Sequence, residues 1–401
     1  MQDGSANGGC LPFVAGLVWG GCGIVGGYLC HPLFWFGLCP ALLQKYEIMF
    51  ILFACLILAF LIFFHELGHF LAAKLFGIHV EVFSIGFGKK LLTKTHRGTE
   101  YALSLIPLGG YVKLKGQNDL DALHSQGGKD SYSDKNPLVR IAVLFAGPFF
   151  NLILAFLIYV VVAMMGIQVI PPVVGKVLKD SPAYEAGILP GDRILSINNQ
   201  GVNRWNQVYE LISQEQKIQL RILRNNMEYE FFLQTKPIED PANSQKKHYR
   251  IGIVAKNEIE TLYLPFDGAL EYGCTKVWES SFLILSGLQK LLQGAIPMTE
   301  ISGPVMIVDS IAQFAQKDFV VMLLWVALIS VNLGILNLLP IPALDGGQIL
   351  FNLYELLTRK PLHEQGVKYL TLLGWLILLG LMSLGLYNDI ARIFTQGALH
   401  G

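Results

Sequence analysis

Phe63-Phe64-His65-Glu66-Leu67-Gly68-His69 sets three ionisable side chains inside an apolar run. No charged residue occurs from Ile48 to Phe64, and after His69 the run resumes with Phe70, Leu71, Ala72 and Ala73. A stretch of this length can enter a bilayer, where a helix satisfies its own backbone. On a helix His65 and His69 stand one turn apart on one face, where two imidazoles can hold one zinc ion, with Glu66 beside them. This is the H-E-x-x-H arrangement, in which the Glu is the base of metal-assisted hydrolysis. Each charged side chain at the centre of a membrane helix costs about 2.5–3.5 kcal/mol on the insertion scale, so three such groups need compensation. A bound metal ion supplies it.

Composition agrees with a membrane setting. Of 401 residues, 53% are hydrophobic and only 15% are charged, which points to a multispanning chain rather than a set of soluble domains. The formal charge is zero, so no basic footprint argues for a nucleic-acid partner. Cys10, Cys22, Cys30, Cys39, Cys55 and Cys274 show no C-x-x-C spacing, and support neither a disulfide framework nor a cysteine zinc site.

Residues 1–47 carry no charge between Asp3 and Lys45. Three readings stand side by side: an extra span over 11–29, weakened by its glycines; a leader, although the basic n-region is missing; or a start of translation at Met49. The first core span is expected over 48–78. Residues 79–137 then alternate short apolar runs with Gly pairs, which predicts strands and hairpins followed by a polar loop. An edge strand next to the metal can take up an extended peptide as a further strand.

A second span is expected over 138–168, with Pro148 kinking it, Gly147 allowing close approach of a neighbour, and Asn151 acting as glue between helices. Residues 169–257 read as a small soluble α+β unit. Ser181-Pro182 is a helix start, 205–213 suits a second helix, and strands 218–223 and 227–233 pair across Asn225-Asn226. Residues 258–317 read as amphipathic helices on the membrane surface. A third span over 318–347 ends in Asn337-Leu338-Leu339-Pro340-Ile341-Pro342-Ala343-Leu344-Asp345-Gly346-Gly347, which cannot continue a helix. Backbone freed at membrane depth must face protein or a wet cavity. A connection over 348–367 and a fourth span over 368–401 complete the chain. Basic residues in the 79–137 loop and Arg359 and Lys360 put both connections in the cytoplasm and the 169–257 unit outside.

Two histidines do not complete a catalytic zinc site. The continuation H-x-x-G-x-x-H is absent, since Ala72 and Leu75 occupy its Gly and His places. Glu81 is one possible third ligand. Asp345 is the better one, because the broken third span delivers it to membrane depth; otherwise it is a turn aspartate before Gly-Gly.

Together HELGH in the first span, GPFFN in the second, the central SPAYEAGILPGD and NLLPIPALDGG resemble the site-2 protease family of intramembrane zinc metalloproteases. The similarity is to its bacterial regulator-of-sigma-E type and covers about residues 48–390. The resemblance implies an α-helical polytopic membrane protein with about four core transmembrane helices, a membrane-associated β-hairpin over 80–116 and one extracytoplasmic α+β PDZ domain. It implies Zn²⁺ held by His65, His69 and Asp345, Glu66 as catalytic acid/base, and Asn337 holding the substrate backbone. The implied partners are the lipid bilayer and transmembrane proteins already cut once by another protease, such as anti-sigma factors or signal-peptide remnants. The implied place is a bacterial inner membrane with the active site towards the cytoplasm. Best-studied members have two PDZ domains where this chain has one such segment, and residues 1–47 have no counterpart. The alternative reading is a non-catalytic membrane scaffold with a structural metal site and a peptide-binding PDZ domain.

Overall fold

The computed structural model describes residues 33–117, 128–240 and 243–397. The expected span over 11–29 lies outside them. Residues 1–49 and 50–401 form two separate units, and the described part of the first is the start of a helix.

Four helices are long and apolar enough to cross a membrane: Ile48–Leu75, Pro137–Met165, Phe319–Asn337 and Gln365–Thr395. The first belongs to α1 (Leu33–Leu75) and the second is α2 (Pro137–Met165). Asn136 caps α2 by accepting from the Leu138 amide, and Pro137 occupies a first-turn position where no N–H is needed. Between them lie β1 (Val80–His96) and β2 (Thr99–Leu114), an antiparallel pair. Short hairpins were expected; the strands are long and folded back on themselves. Phe83 pairs with both Tyr101 and Val112, because β2 contributes a segment on each side of the first half of β1. Gly86, Gly88 and Gly109 have φ of 86°, 84° and 143° and supply the bends.

After α2 comes the middle unit. Its first elements are β3 (Ile167–Val169), β4 (Val174–Val177), α3 (Pro182–Glu185), β5 (Arg193–Ile197), β6 (Gln200–Gly201) and α4 (Trp205–Ser213). They are followed by β7 (Lys217–Arg224), β8 (Met227–Gln234), β9 (Lys236–Asp240), β10 (Asn243–Arg250), β11 (Ile253–Ala255) and β12 (Glu260–Leu262). A four-stranded sheet has the order β6-β5-β7-β8, and β11 pairs with β4. The turn between β5 and β6 is made by Asn198-Asn199, both at positive φ, and Gln200 and Gly201 are already strand. Asp192 is 1% exposed and takes both Arg224 Nε and Nη2, at 2.6 and 2.7 Å, while its Oδ2 accepts from the Leu189 amide. That bidentate pair closes the Pro190-Gly191 turn. Entry strand β3 and exit strand β12 pair with each other, so the unit leaves α2 and returns to the bundle at one place.

The rest is α5 (Phe266–Leu292), α6 (Pro304–Lys317), α7 (Phe319–Asn337), α8 (Asp345–Thr358) and α9 (Glu364–Gly397). The sequence suggested surface helices over 258–317, but α5 and α6 also pack into the bundle. Gly273 of α5 lies against Phe156 and Val160 of α2, and the Tyr159 hydroxyl is 3.0 Å from Ser280 Oγ. Ile311 of α6 is fully buried in a cluster with Ala54, Leu61 and Met322. Residues after Gly347 are not a simple connection either, since α8 begins at Asp345 itself. Polar contacts fix the fourth span: Asp389 of α9 is fully buried and accepts from the amides of Gly303, Val305 and Met306 at the start of α6. Three orphan helix-end donors are thereby satisfied.

Candidate metal centre

One helical turn separates His65 from His69 on α1, and the two rings meet edge to face with centroids 4.8 Å apart. Their Nε2 atoms are 3.2 Å apart. The carboxylate that joins them comes from the other end of the chain. Asp345 Oδ2 is 3.2 Å from His65 Nε2 and 3.5 Å from His69 Nε2. Helix α7 stops at Asn337, two prolines keep 338–344 out of helical geometry, and α8 restarts at Asp345. Gly346 and Gly347 are required by space: a Cβ there would overlap the carbonyls of Leu338 and Ile341. The Gly-Gly pair thus belongs to a tightly folded helix start, not to the simple turn that Asp-Gly-Gly suggests.

Both rings are held from behind. His69 Nδ1 donates to the Val143 carbonyl at 2.8 Å, which leaves its Nε2 as a lone pair facing the centre. His65 Nδ1 lies 3.2 Å from the side-chain amide of Asn151, whose Oδ1 is buried and has no partner among the described residues. A flip of the Asn151 amide exchanges the atom that faces the ring. With Oδ1 towards the ring, a His65 Nδ1–H has its acceptor and Nε2 is again free for a metal. Ser330 Oγ of α7 donates to the Asn151 carbonyl at 2.8 Å, so the same residue also ties two helices. Sequence reasoning assigned Asn151 only that second role; a lone Asn in an apolar helix carries no sign of which side chain it faces. Gly147, one turn before Asn151, lies so close to the His69 ring that a Cβ would overlap it.

Glu66 lines a cavity of about 310 Å³ with His65, Asp345, Asn337, Gly109 and Gly110. The backbone of Val112 faces its carboxylate, and the position of a Gly110 Cβ is 3.5 Å from Glu66 Cγ. Asn337 is the last residue of α7 and reaches this cavity. Glu81, the other acid considered as a ligand, is occupied elsewhere: Lys113 Nζ is 2.8 Å from its carboxylate.

The pattern of Peptidase family M50 matches residues 53–381. The chain belongs to peptidase family M50. It is 41% identical over 351 residues to a Campylobacter jejuni protein, covering 85% of this chain and 93% of that one. A Helicobacter pylori protein is 42% identical over 359 residues, covering 85% and 99%. One from Rickettsia conorii is 36% identical over 350 residues, covering 84% and 97%. All three carry the name "Putative zinc metalloprotease".

Zinc is the metal of this M50 chain, and the geometry fits it. Ligand atoms about 2.0–2.1 Å from a tetrahedral ion stand about 3.3–3.4 Å apart. The three separations, 3.2, 3.2 and 3.5 Å, bracket that edge length. Two imidazole lone pairs and a carboxylate oxygen converging this closely repel one another unless a cation stands among them. His65, His69 and Asp345 form the group of potential ligand atoms within 4.8 Å of one another among the described residues.

Proposed function

We propose that this chain is an intramembrane endopeptidase that cleaves the transmembrane segments of membrane proteins after a first cut by another protease. The observation that carries the reading is the meeting of His65, His69 and Asp345 beside Glu66, on helices apolar enough to lie within a bilayer. His65, His69 and Asp345 hold the zinc. Bound there, zinc polarises a peptide carbonyl and brings the pKa of water into the neutral range. Glu66 takes a proton from the attacking water onto its carboxylate and returns it to the leaving amine.

A transmembrane helix hides its scissile amide in its own hydrogen bonds, so the substrate must unwind locally. Among the described residues the second half of β2, Gly110 to Leu114, has a strand partner on one side only, and it runs past Glu66. An extended substrate segment added along that free side regains the lost backbone bonds, and the Asn337 amide holds it from the opposite wall. In this reading the middle unit is an extracytoplasmic PDZ domain that recruits or filters substrates, and the metal centre opens towards the cytoplasmic side of a bacterial inner membrane.

Glu66→Gln separates catalysis from metal binding. Metal analysis of the purified variant should give the wild-type zinc content, while cleavage of a reporter transmembrane segment falls by about 10³-fold. Full cleavage by Glu66→Gln would sink the mechanism.

A further inference from the structure

A second site lies where the middle unit meets the span ends. Helix α2 ends at Met165 and α7 begins at Phe319. The cleft between them, β3 and the start of α4 holds about 420 Å³, a usual size for a small-ligand site. Val320, Val321 and Leu324 of α7 give it an apolar wall, while Arg204, Tyr272 and Lys276 give it polar groups.

Its charges are arranged unusually. Arg204 Cζ and Lys276 Nζ stand 5.9 and 5.8 Å from the centre of the same Tyr272 ring. Lys276 also pairs with Glu279 at 2.6 Å. Among the described residues no carboxylate lies within ion-pair distance of Arg204. The acid of the cleft, Asp318, is held on both oxygens: Oδ1 accepts from the Val320 and Val321 amides at 2.7 and 3.3 Å, and Oδ2 accepts from Gln168 Nε2 at 3.5 Å. A smaller cleft of about 150 Å³ shares Arg204 and Tyr272, so the guanidinium has open space around it. Arg204 and Lys276 both line the cleft beside the Tyr272 ring, so an anion entering it meets positive charge there. Close by in sequence, Tyr263, Phe266 and Trp278 are 66%, 63% and 74% exposed, as aromatic side chains are at a membrane–water boundary.

We propose that this cleft binds the phosphodiester headgroup of an anionic phospholipid, with Arg204 and Lys276 on the phosphate and an acyl chain along Val320 and Leu324. A guanidinium offers paired donors to phosphate oxygens. Free phosphate satisfies the cations but leaves the α7 wall without a partner. Because Arg204 immediately precedes α4 and Lys276 lies on α5, the bound lipid bridges the middle unit and the bundle. The site is independent of the metal centre and of the proteolytic reading.

The test uses the full-length protein in mild detergent with an equimolar mixture of phosphatidylglycerol and phosphatidylethanolamine, and native mass spectrometry of the lipid retained. Wild type should retain phosphatidylglycerol preferentially. Arg204→Gln should lower that preference by about tenfold, the worth of one charge-assisted bond. Lys276→Gln, at a position about a third exposed and already paired with Glu279, should lower it by less and carries the test if Arg204→Gln does not fold. Zinc content should stay at the wild-type level in both. Equal retention of the two lipids by wild type, or an unchanged ratio in every folded glutamine variant, overturns the proposal. So does displacement of the lipid by inorganic phosphate, which would make the cleft a free-anion site. Displacement by a peptide acid but not by its amide would also overturn it, in favour of a chain terminus.

Discussion

In the middle unit Ile188, Ile194, Ile197, Ile218, Leu220 and Ile222 are each 2% exposed or less, whereas Leu372, Leu373, Trp375 and Leu376 on α9 are all more than half exposed. Side chains of the same chemistry sit inside in one region and outside in the other. The unit folds against water, so removing apolar area from solvent stabilises it. Helices in lipid gain nothing comparable, because their surroundings are as apolar as the side chains. The bundle is joined instead where backbones come close: Gly68 against the Ala146 carbonyl, Gly334 against the Pro148 carbonyl, Gly303 against Gly385. Buried polar groups such as Asp389 and Asn151 add specific bonds between helices.

The sharpest way to break this contrast is to make one substitution in both regions. Leu220→Ala should cost the middle unit about 2–5 kcal/mol, the range for a leucine cut from a packed core, read as lowered protection of its amides in hydrogen exchange. Zinc content should not change. Leu376→Ala, on a lipid-facing surface, should alter neither measurement. Equal losses from the two would mean that α9 is packed against protein there.

Gly147→Ala reverses the logic, since the added methyl destabilises by presence. It must displace either the His69 ring or α2, an overpacking cost of about 1–3 kcal/mol that falls directly on the metal ligand. Zinc affinity, measured by competition with a chelator, should drop accordingly. An unaffected affinity would show that the helices part easily at this contact. Asn151→Ala acts on the other ring with a comparable magnitude: loss of a group behind a metal-binding imidazole lowers affinity by about 10–100-fold. Asn151→Asp should restore part of it, because a carboxylate also accepts from His65 Nδ1.

These contacts also show what the sequence can and cannot convey. His65 and His69 were legible because one helical turn relates them, and the start of α3 was legible because Ser181-Pro182 is a complete local signal. Asp345 was reachable only through the broken helix before it and the resemblance of four motifs. Nothing near Asn151 tells which ring it will face, and nothing in 80–114 tells that Phe83 will have two strand partners. Those facts belong to pairs of residues far apart in the chain. The same holds for α8, which the two glycines hide: alone they read as a turn, and only the carbonyls of Leu338 and Ile341 explain them.

The smallest expected effect tests the local end of that scale. Asn225 and Asn226 have φ of 52° and 62°, and the strands they join pair Arg224 with Met227 directly across the turn. Such a two-residue turn matches the twist of its strands when both residues are left-handed. Asparagine tolerates that conformation and glycine adopts it freely, whereas alanine is penalised by about 1 kcal/mol. Asn226→Ala should therefore lower hydrogen-exchange protection in β7 and β8 by that small amount, and Asn226→Gly should not. Zinc content and reporter cleavage should remain at wild-type levels in both, because the turn touches neither the metal centre nor the spans. If alanine and glycine behave alike, the hairpin is set by the packing of Ile218, Leu220 and Ile222 rather than by its turn, and even the most local of these signals acts through the core.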